Sequence, residues 1–154
     1  MTNREKTLAI LKENEIAFEV LEHSKKVYTC DETALERKVD LSQVTKTLLC
    51  YDKRKNIVGF LIPGNTSLNQ QKARKVVASN KLRFINADFL TQEFGLIIGA
   101  ISPLLMLGNA TFYMDEKLNE VEELTISSGE AGSGIKLLSK NLQDLVGVVL
   151  CDIT

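Results

Sequence analysis

The chain has 154 residues, the size of one ordinary domain, and can bury about 70% of its unfolded surface without a metal or a disulfide. Its 19 Lys and Arg residues against 20 Asp and Glu residues give a net charge of −1. This balance excludes a general DNA-binding protein, because there is no excess of positive charge for counterion release. A nucleic-acid partner would have to be held at a small local site, such as one for a single-stranded end.

Cysteine and histidine are scarce and dispersed. Cys30, Cys50 and Cys151 form no CxxC element, and an odd number of cysteines is typical of free thiols in a reducing compartment. With His23 as the only histidine, no zinc site of ordinary ligand spacing can be built, so the sequence predicts no metal and no cofactor. The N-terminal residues are too polar for a signal peptide, and no apolar run is long enough to span a membrane. We therefore expect a cytoplasmic protein.

The first half of the chain contains both helical and strand patterns. Capping boxes that begin at Thr2 and Thr29 and an amphipathic pattern after Leu68 predict three helices. The second of these is expected to bury Ala34, Leu35 and Val39. The predicted strands are residues 16–21, 45–51, 57–62 and 82–85.

Short β-favouring runs dominate the second half. The predicted strands here are residues 111–114, 123–127, 135–138 and 146–151, with brief helices after Asp88 and over 140–145. Because helices and strands do not alternate regularly, the pattern predicts an α+β fold over a single domain, residues 1–154. We expect a curved, mixed, mostly antiparallel β-barrel-like sheet that is flanked by helices.

The most apolar segment, residues 94–109, carries three glycines, a serine and a proline. Gly and Pro cost about 1 and 3 kcal/mol relative to Ala inside a helix, so this composition argues against a core helix. We predict that Gly99 to Pro103 forms a bent loop between apolar strands. The N–H groups of such a loop can bind a carbonyl oxygen.

Lys46 is a lone cation in the otherwise neutral run 44–50. A lysine on a strand usually extends its ammonium into solvent. Alternatively, the ammonium faces a pocket and binds a phosphate or hydroxyl as a point charge. Cys50 alternates with Lys46 and Leu48 and is placed to share that pocket, although a free cysteine is more often a small buried residue. His23 follows a predicted strand, where it is either a polar cap or a pocket residue.

Five short motifs occur in order along nearly the whole chain: Lys46-Thr47-Leu48, Pro63-Gly64, Gly99-Ala100-Ile101-Ser102-Pro103, Asp115 and Ser128-Gly129. In this order and spacing they resemble the YbaK family of free-standing aminoacyl-tRNA deacylases. That family is related to the editing domain of bacterial-type prolyl-tRNA synthetases.

The resemblance implies metal-independent hydrolysis of the ester that joins a wrong amino acid to the 3′ end of tRNA. It gives catalytic roles to Lys46, which positions the terminal nucleotide and aminoacyl group, and to Gly99, whose loop holds the substrate carbonyl. The substrate-binding candidates are Ala100, Ile101, Ser102, Pro103, His23 and Cys50. We expect tRNA(Pro) carrying Cys or Ala as the leading substrate, and prolyl-tRNA synthetase as a possible partner.

One departure from the family keeps an alternative open. The run Leu104-Leu105-Met106 stands where the family often carries small residues, and bulky side chains there would narrow the pocket. The alternative is therefore a non-catalytic module that binds a tRNA end, a nucleotide or a synthetase. A third possibility is a Schiff base formed by Lys46.

Overall fold

The structure, a computed structural model, describes all 154 residues and confirms the α+β class. The helices are α1 (Asn3–Glu13), α2 (Cys30–Arg37), α3 (Gln70–Val77), α4 (Ala87–Phe94) and α5 (Ser139–Val146). The strands are β1 (Glu19–Glu22), β2 (Thr45–Tyr51), β3 (Ile57–Pro63), β4 (Arg83–Phe84), β5 (Thr111–Asp115), β6 (Glu123–Ser127), β7 (Ser133–Leu138) and β8 (Val149–Cys151). Three 3₁₀ helices span Leu41–Gln43, Pro103–Met106 and Glu116–Asn119.

The strands form two sheets that meet at one point. One sheet has the order β1-β7-β6, and the other has the order β4-β2-β3-β5-β8. Only the β3–β5 and β5–β8 pairs are parallel, so the mixed and mostly antiparallel arrangement is as predicted. A single parallel bridge between Val44 and Thr125 joins the two sheets just before β2 begins.

The helices begin and end where local chemistry dictates. The Thr2 hydroxyl accepts from the N–H of Glu5 at 3.0 Å, and the Glu5 carboxylate accepts from the N–H of Thr2 at 3.3 Å, which is the predicted capping box. Gly95 ends α4 with a φ of 67°, the left-handed conformation that glycine adopts without strain. None of the helices is long and apolar enough to cross a membrane.

Two hydrophobic clusters lie on opposite faces of the five-stranded sheet. Leu49 and Leu61 belong to the larger cluster, whereas Cys50 and Phe60, one residue away on each strand, belong to the smaller one. This is the two-residue alternation of a pleated strand, with both faces covered. Strand β2 therefore separates the two cores along most of its length.

Three local predictions need correction. Leu35 of α2 is 79% exposed, and Arg37 is buried instead, because the helix turns that face toward the smaller sheet. The glycine-rich loop connects α4 to the 3₁₀ helix that starts at Pro103, not two strands, since proline is well suited to the first turn of a helix. The last strand is shorter than predicted because Val146 completes α5, which Gly147 ends.

Gly59 of β3 offers a test of core packing, because a Cβ at this position would overlap the ring of Phe112. We expect Gly59→Ala to lower the free energy of unfolding by about 1–3 kcal/mol through overpacking. Gly132→Ala is the matched control, since no atom lies within 4 Å of its Cβ position. Chemical denaturation measures the stability of both variants, and equal stability of the two would contradict the packing of Gly59 in β3 against Phe112 in β5.

Candidate active site

A cavity of about 430 Å³ opens beside the N-terminal half of β2. Its wall is made by α2 and the two residues before it, by β2, by the connection from β4 to α4, and by the loop that contains Gly99. Ser127, at the end of β6, completes the wall. The cavity therefore lies where the two sheets meet, close to the Val44–Thr125 bridge.

The loop is held against the segment that precedes α2. Gly99 has a φ of 88°, and a Cβ on it would lie 3.2 Å from the main-chain oxygen of Tyr28. Both features favour glycine at this position. Within the loop, the N–H of Ala100 donates to the oxygen of Ile97 at 2.9 Å, whereas the N–H groups of Ile98, Gly99 and Ile101 have no protein acceptor. The loop that lines the cavity thus contains three backbone N–H groups without a protein acceptor.

Lys46, the second residue of β2, also lies in the cavity wall. Its ammonium donates to the main-chain oxygen of Thr66, which follows β3. It forms no ion pair with a carboxylate, so its charge is not neutralised by the protein. An ammonium anchored in this way retains donors for a phosphate or hydroxyl of a ligand.

Arg37 is the residue of this site that sequence reasoning missed. It is only 8% exposed, and it lies in the cavity wall. Its Nε donates to Nε2 of His23 at 3.2 Å, and its Nη1 donates to the hydroxyl of Thr125 at 2.8 Å. The single available signal was a charged residue within the buried stripe of α2, where the apolar pattern drew attention to Leu35 instead.

His23 lies beside the cavity wall and supports Arg37. Because a guanidinium can only donate, Nε2 of His23 accepts, and Nδ1 then carries the proton that it donates to the oxygen of Ala131 at 2.9 Å. The backbone N–H of His23 donates to the oxygen of Gly132 at 2.9 Å. The imidazole is therefore fixed from both sides as a neutral ring.

Burial shifts the ionisation of both Arg37 and Cys30. Desolvation lowers the pKa of Arg37 to about 10, and the nearby Cys30 only partly opposes this. A shift of this size disfavours the charged guanidinium by about 3 kcal/mol, a cost that is present at neutral pH and is relieved only as the pH rises through 10. Burial likewise raises the pKa of the Cys30 thiol, against the opposing effects of Lys46 and Arg37.

No arrangement of three or more His, Cys, Asp or Glu side chains could hold a metal ion. The residues that line the cavity include two cations and no carboxylate. Ordinary ligands of a hard divalent cation are thus missing from the wall. The cavity is instead suited to anionic and hydrogen-bond-accepting groups.

The predicted site residues divide into three sets. Lys46, Gly99 and Ile101 line the cavity together. Ala100, Ser102 and Pro103 belong to the same loop but are buried and do not line the cavity. The hydroxyl of Ser102 is buried and has no hydrogen-bond partner. The third set, His23 and Cys50, lies outside the wall.

Cys50 lies outside the cavity, which corrects the expectation that it shares one with Lys46. The two residues are on the same face of β2, as alternation predicts, but at Cys50 that face is covered by the smaller core, including Phe60 and Ala73. Cys50 is fully buried, and burial raises the pKa of its thiol to about 12.

The bulky run after the loop does not narrow the cavity. Leu104 and Met106 are fully buried in the larger core, and Leu105 packs against it. None of the three lines the cavity. The run that suggested a non-catalytic binding module is therefore part of the hydrophobic core.

Curated relatives of this chain are proline–tRNA ligases. The chain is 29% identical over 84 residues to that of Thermosipho melanesiensis and 26% identical over 102 residues to that of Streptococcus thermophilus. These matches cover 54% and 66% of this chain but only 15% and 16% of the ligases.

Solved structures of the same size share the fold. A candidate trans-editing enzyme for prolyl tRNA synthetase superposes with a TM-score of 0.88 at 22% identity, over 100% of this chain and 98% of the other. The hypothetical protein APE2540 gives the same TM-score at 21% identity, over 96% and 98% of the two chains. At these identities the likeness establishes the fold alone.

The family comparison covers the cavity as well as the fold. The model of the aminoacyl-tRNA editing domain matches residues 24–145, a range that contains Lys46, Arg37 and the Gly99 loop. The order of motifs along the chain and the joining of Lys46 and Gly99 in one cavity agree with that match. The chain belongs to the YbaK-type family of aminoacyl-tRNA editing domains.

Proposed function

We propose that this chain hydrolyses the ester of mischarged aminoacyl-tRNA, with tRNA(Pro) carrying a small wrong residue such as Cys or Ala as the leading substrate. The observation that carries the proposal is a single cavity that contains both Lys46 and the loop of Gly99. Lys46 can hold the terminal nucleotide, and the loop of Gly99 can hold the ester carbonyl.

The loop supplies the electrostatic part of the reaction. Water attacks the carbonyl carbon, the bond to the ribose oxygen breaks, and that oxygen leaves as a hydroxyl with a proton that comes from the water. Negative charge develops on the carbonyl oxygen, where the unpaired N–H groups of Ile98, Gly99 and Ile101 can donate to it. Fixed donors of this kind typically contribute about 10²–10³ each in rate. An activated ester therefore requires no protein nucleophile.

The rim of the cavity suits the terminal base of a tRNA. Tyr28, Phe84 and Ile98 line the cavity, and each is about half exposed. Aromatic side chains at such a rim stack on a nucleic-acid base with about 1–3 kcal/mol per base. With the base on the rim and Lys46 near the phosphate or ribose, the aminoacyl ester is directed inward.

The tRNA body would be delivered by a partner. The net charge of −1 gives this chain little general attraction for a polyanion. Its curated relatives carry the matching segment within proline–tRNA ligases. We therefore propose that prolyl-tRNA synthetase supplies the tRNA, while this chain binds the 3′ acceptor end.

Replacing Lys46 by Ala should reduce single-turnover deacylation of mischarged tRNA(Pro) by about tenfold or more, because a hydrogen bond to a charged donor contributes about 1.5–3 kcal/mol. The matched control is Lys53→Ala, which removes an exposed lysine from the turn after the same strand. Circular dichroism should find both variants folded. Equal rates for the two variants would remove Lys46 from the mechanism.

Substitutions at two glycines with a left-handed backbone conformation distinguish a loss of stability from a loss of the loop's role in catalysis. Gly99→Ala and Gly95→Ala each put a side chain at positive φ, but only the Cβ added at position 99 would press on Tyr28. Both should lower the free energy of unfolding by about 1–2 kcal/mol. Only Gly99→Ala should lower the deacylation rate, by about tenfold or more, because only it displaces the donor loop. If Gly95→Ala lost as much activity, the loss would reflect stability and not the loop.

A further inference from the structure

Arg37 is a buried cation whose charge the protein does not balance. No carboxylate forms an ion pair with it, and the residues that line the cavity around it include no Asp or Glu. Its two hydrogen-bond acceptors, His23 and Thr125, are neutral. Arginine is almost never fully buried unless it is paired, so an acceptor is missing from its surroundings.

The guanidinium also has unused donors. Nε and Nη1 each make one hydrogen bond, whereas Nη2 makes none. Nη2 therefore has no partner and is not fully buried, and Arg37 is one of the residues that line the cavity. The hydroxyl of Thr45, another cavity residue, is buried and has no partner. The wall thus contains one guanidinium nitrogen without a partner and one buried hydroxyl that lacks the partner burial demands.

The surrounding structure fixes the guanidinium in place. His23 and Thr125 hold two of its nitrogens, and a Cβ on Gly134 of β7 would overlap its atoms. The group therefore lies directly over the backbone of β7, where only glycine leaves room for it. A donor that is held in this way loses little entropy when it binds a ligand.

We propose that Arg37 is a specificity-determining residue that donates to an acceptor oxygen at the end of the aminoacyl side chain. This inference rests on the proposed deacylase function. It assigns the preferred substrates to small polar residues with a hydroxyl or carboxylate, such as Ser, Thr or Asp, over apolar residues of the same shape. Of the two residues proposed above, it disfavours Ala, which offers no acceptor.

The buried position of Arg37 favours the side chain over a phosphate as the bound group. A phosphodiester is flanked by a nucleoside on each side, so it cannot reach a buried group without bringing both nucleosides with it. The aminoacyl side chain is a chain end, and it lies beyond the ester that the Gly99 loop is proposed to hold. Only such a terminal group can reach the guanidinium of Arg37, because this residue is only 8% exposed.

Isosteric ester pairs on one tRNA test this assignment. Single-turnover rates are measured for tRNA(Pro) charged with Ser or 2-aminobutyrate, and with Thr or Val, because each pair exchanges a hydroxyl for a methyl. Wild type should hydrolyse the polar member about 10- to 100-fold faster, since the hydrogen bond comes from a charged donor. Arg37→Met should bring both ratios close to one, whereas Arg37→Lys should retain part of the preference.

Gly134→Ala is a second variant that displaces the guanidinium without removing its charge, and it should also reduce the ratios. If Arg37→Met slows all four esters equally, Arg37 acts on a part common to every substrate, such as the terminal phosphate, and the proposal is wrong. Wild-type ratios near one would overturn it as well.

A binding experiment separates failure of this inference from failure of the proposed function. Dissociation constants are measured for non-hydrolysable amides of 3′-amino-3′-deoxyadenosine that carry a seryl or a 2-aminobutyryl group. Tighter binding of the seryl amide to wild type but not to Arg37→Met would support the assignment even if no ester were hydrolysed. Equal binding of the two amides to wild type would overturn it.

Discussion

The pleat of strand β2 is the constraint on which the fold and the site both depend. Its alternate residues face two different cores, so that Leu49 and Cys50 are buried on opposite sides of the sheet. Near the start of the strand Lys46, Thr47 and Leu48 are only partly buried, and the cavity lies beside them, bounded also by α2 and the loop of Gly99. Lys46 thus lies at the open end of a strand whose other end is rigidly packed.

The charge of the cavity opposes stability and favours ligand binding. Lys46 and Arg37 face a wall without carboxylates, and desolvation makes the charged state of Arg37 costly. An unpaired buried cation contributes little to folding, and removing such a group is often tolerated. Strained or uncompensated groups of this kind concentrate at functional sites. The unpaired positive charge also explains why a ligand with hydrogen-bond acceptors would bind in this cavity.

Local sequence chemistry predicted most elements but not the surroundings of the site. The capping box of Thr2 and the charged turn between β2 and β3 act within a few residues, so they are legible from the sequence. Which face of α2 is buried depends on the smaller sheet, which contacts it through Thr125, far along the chain. Hydrophobicity alone predicted that Leu35 would be buried, whereas tertiary packing buries Arg37 instead. Cys50 was misplaced because alternation identifies a strand face but not what covers that face.

A crystal structure with the non-hydrolysable seryl amide of 3′-amino-3′-deoxyadenosine tests the account most directly. We expect adenine against Tyr28 and Phe84, the amide oxygen within hydrogen-bond distance of the Gly99 loop, and the seryl oxygen at roughly 3 Å from Nη2 of Arg37. An amide bound with its adenine at Arg37, or bound outside this cavity, would contradict the assignment of the ester to the loop.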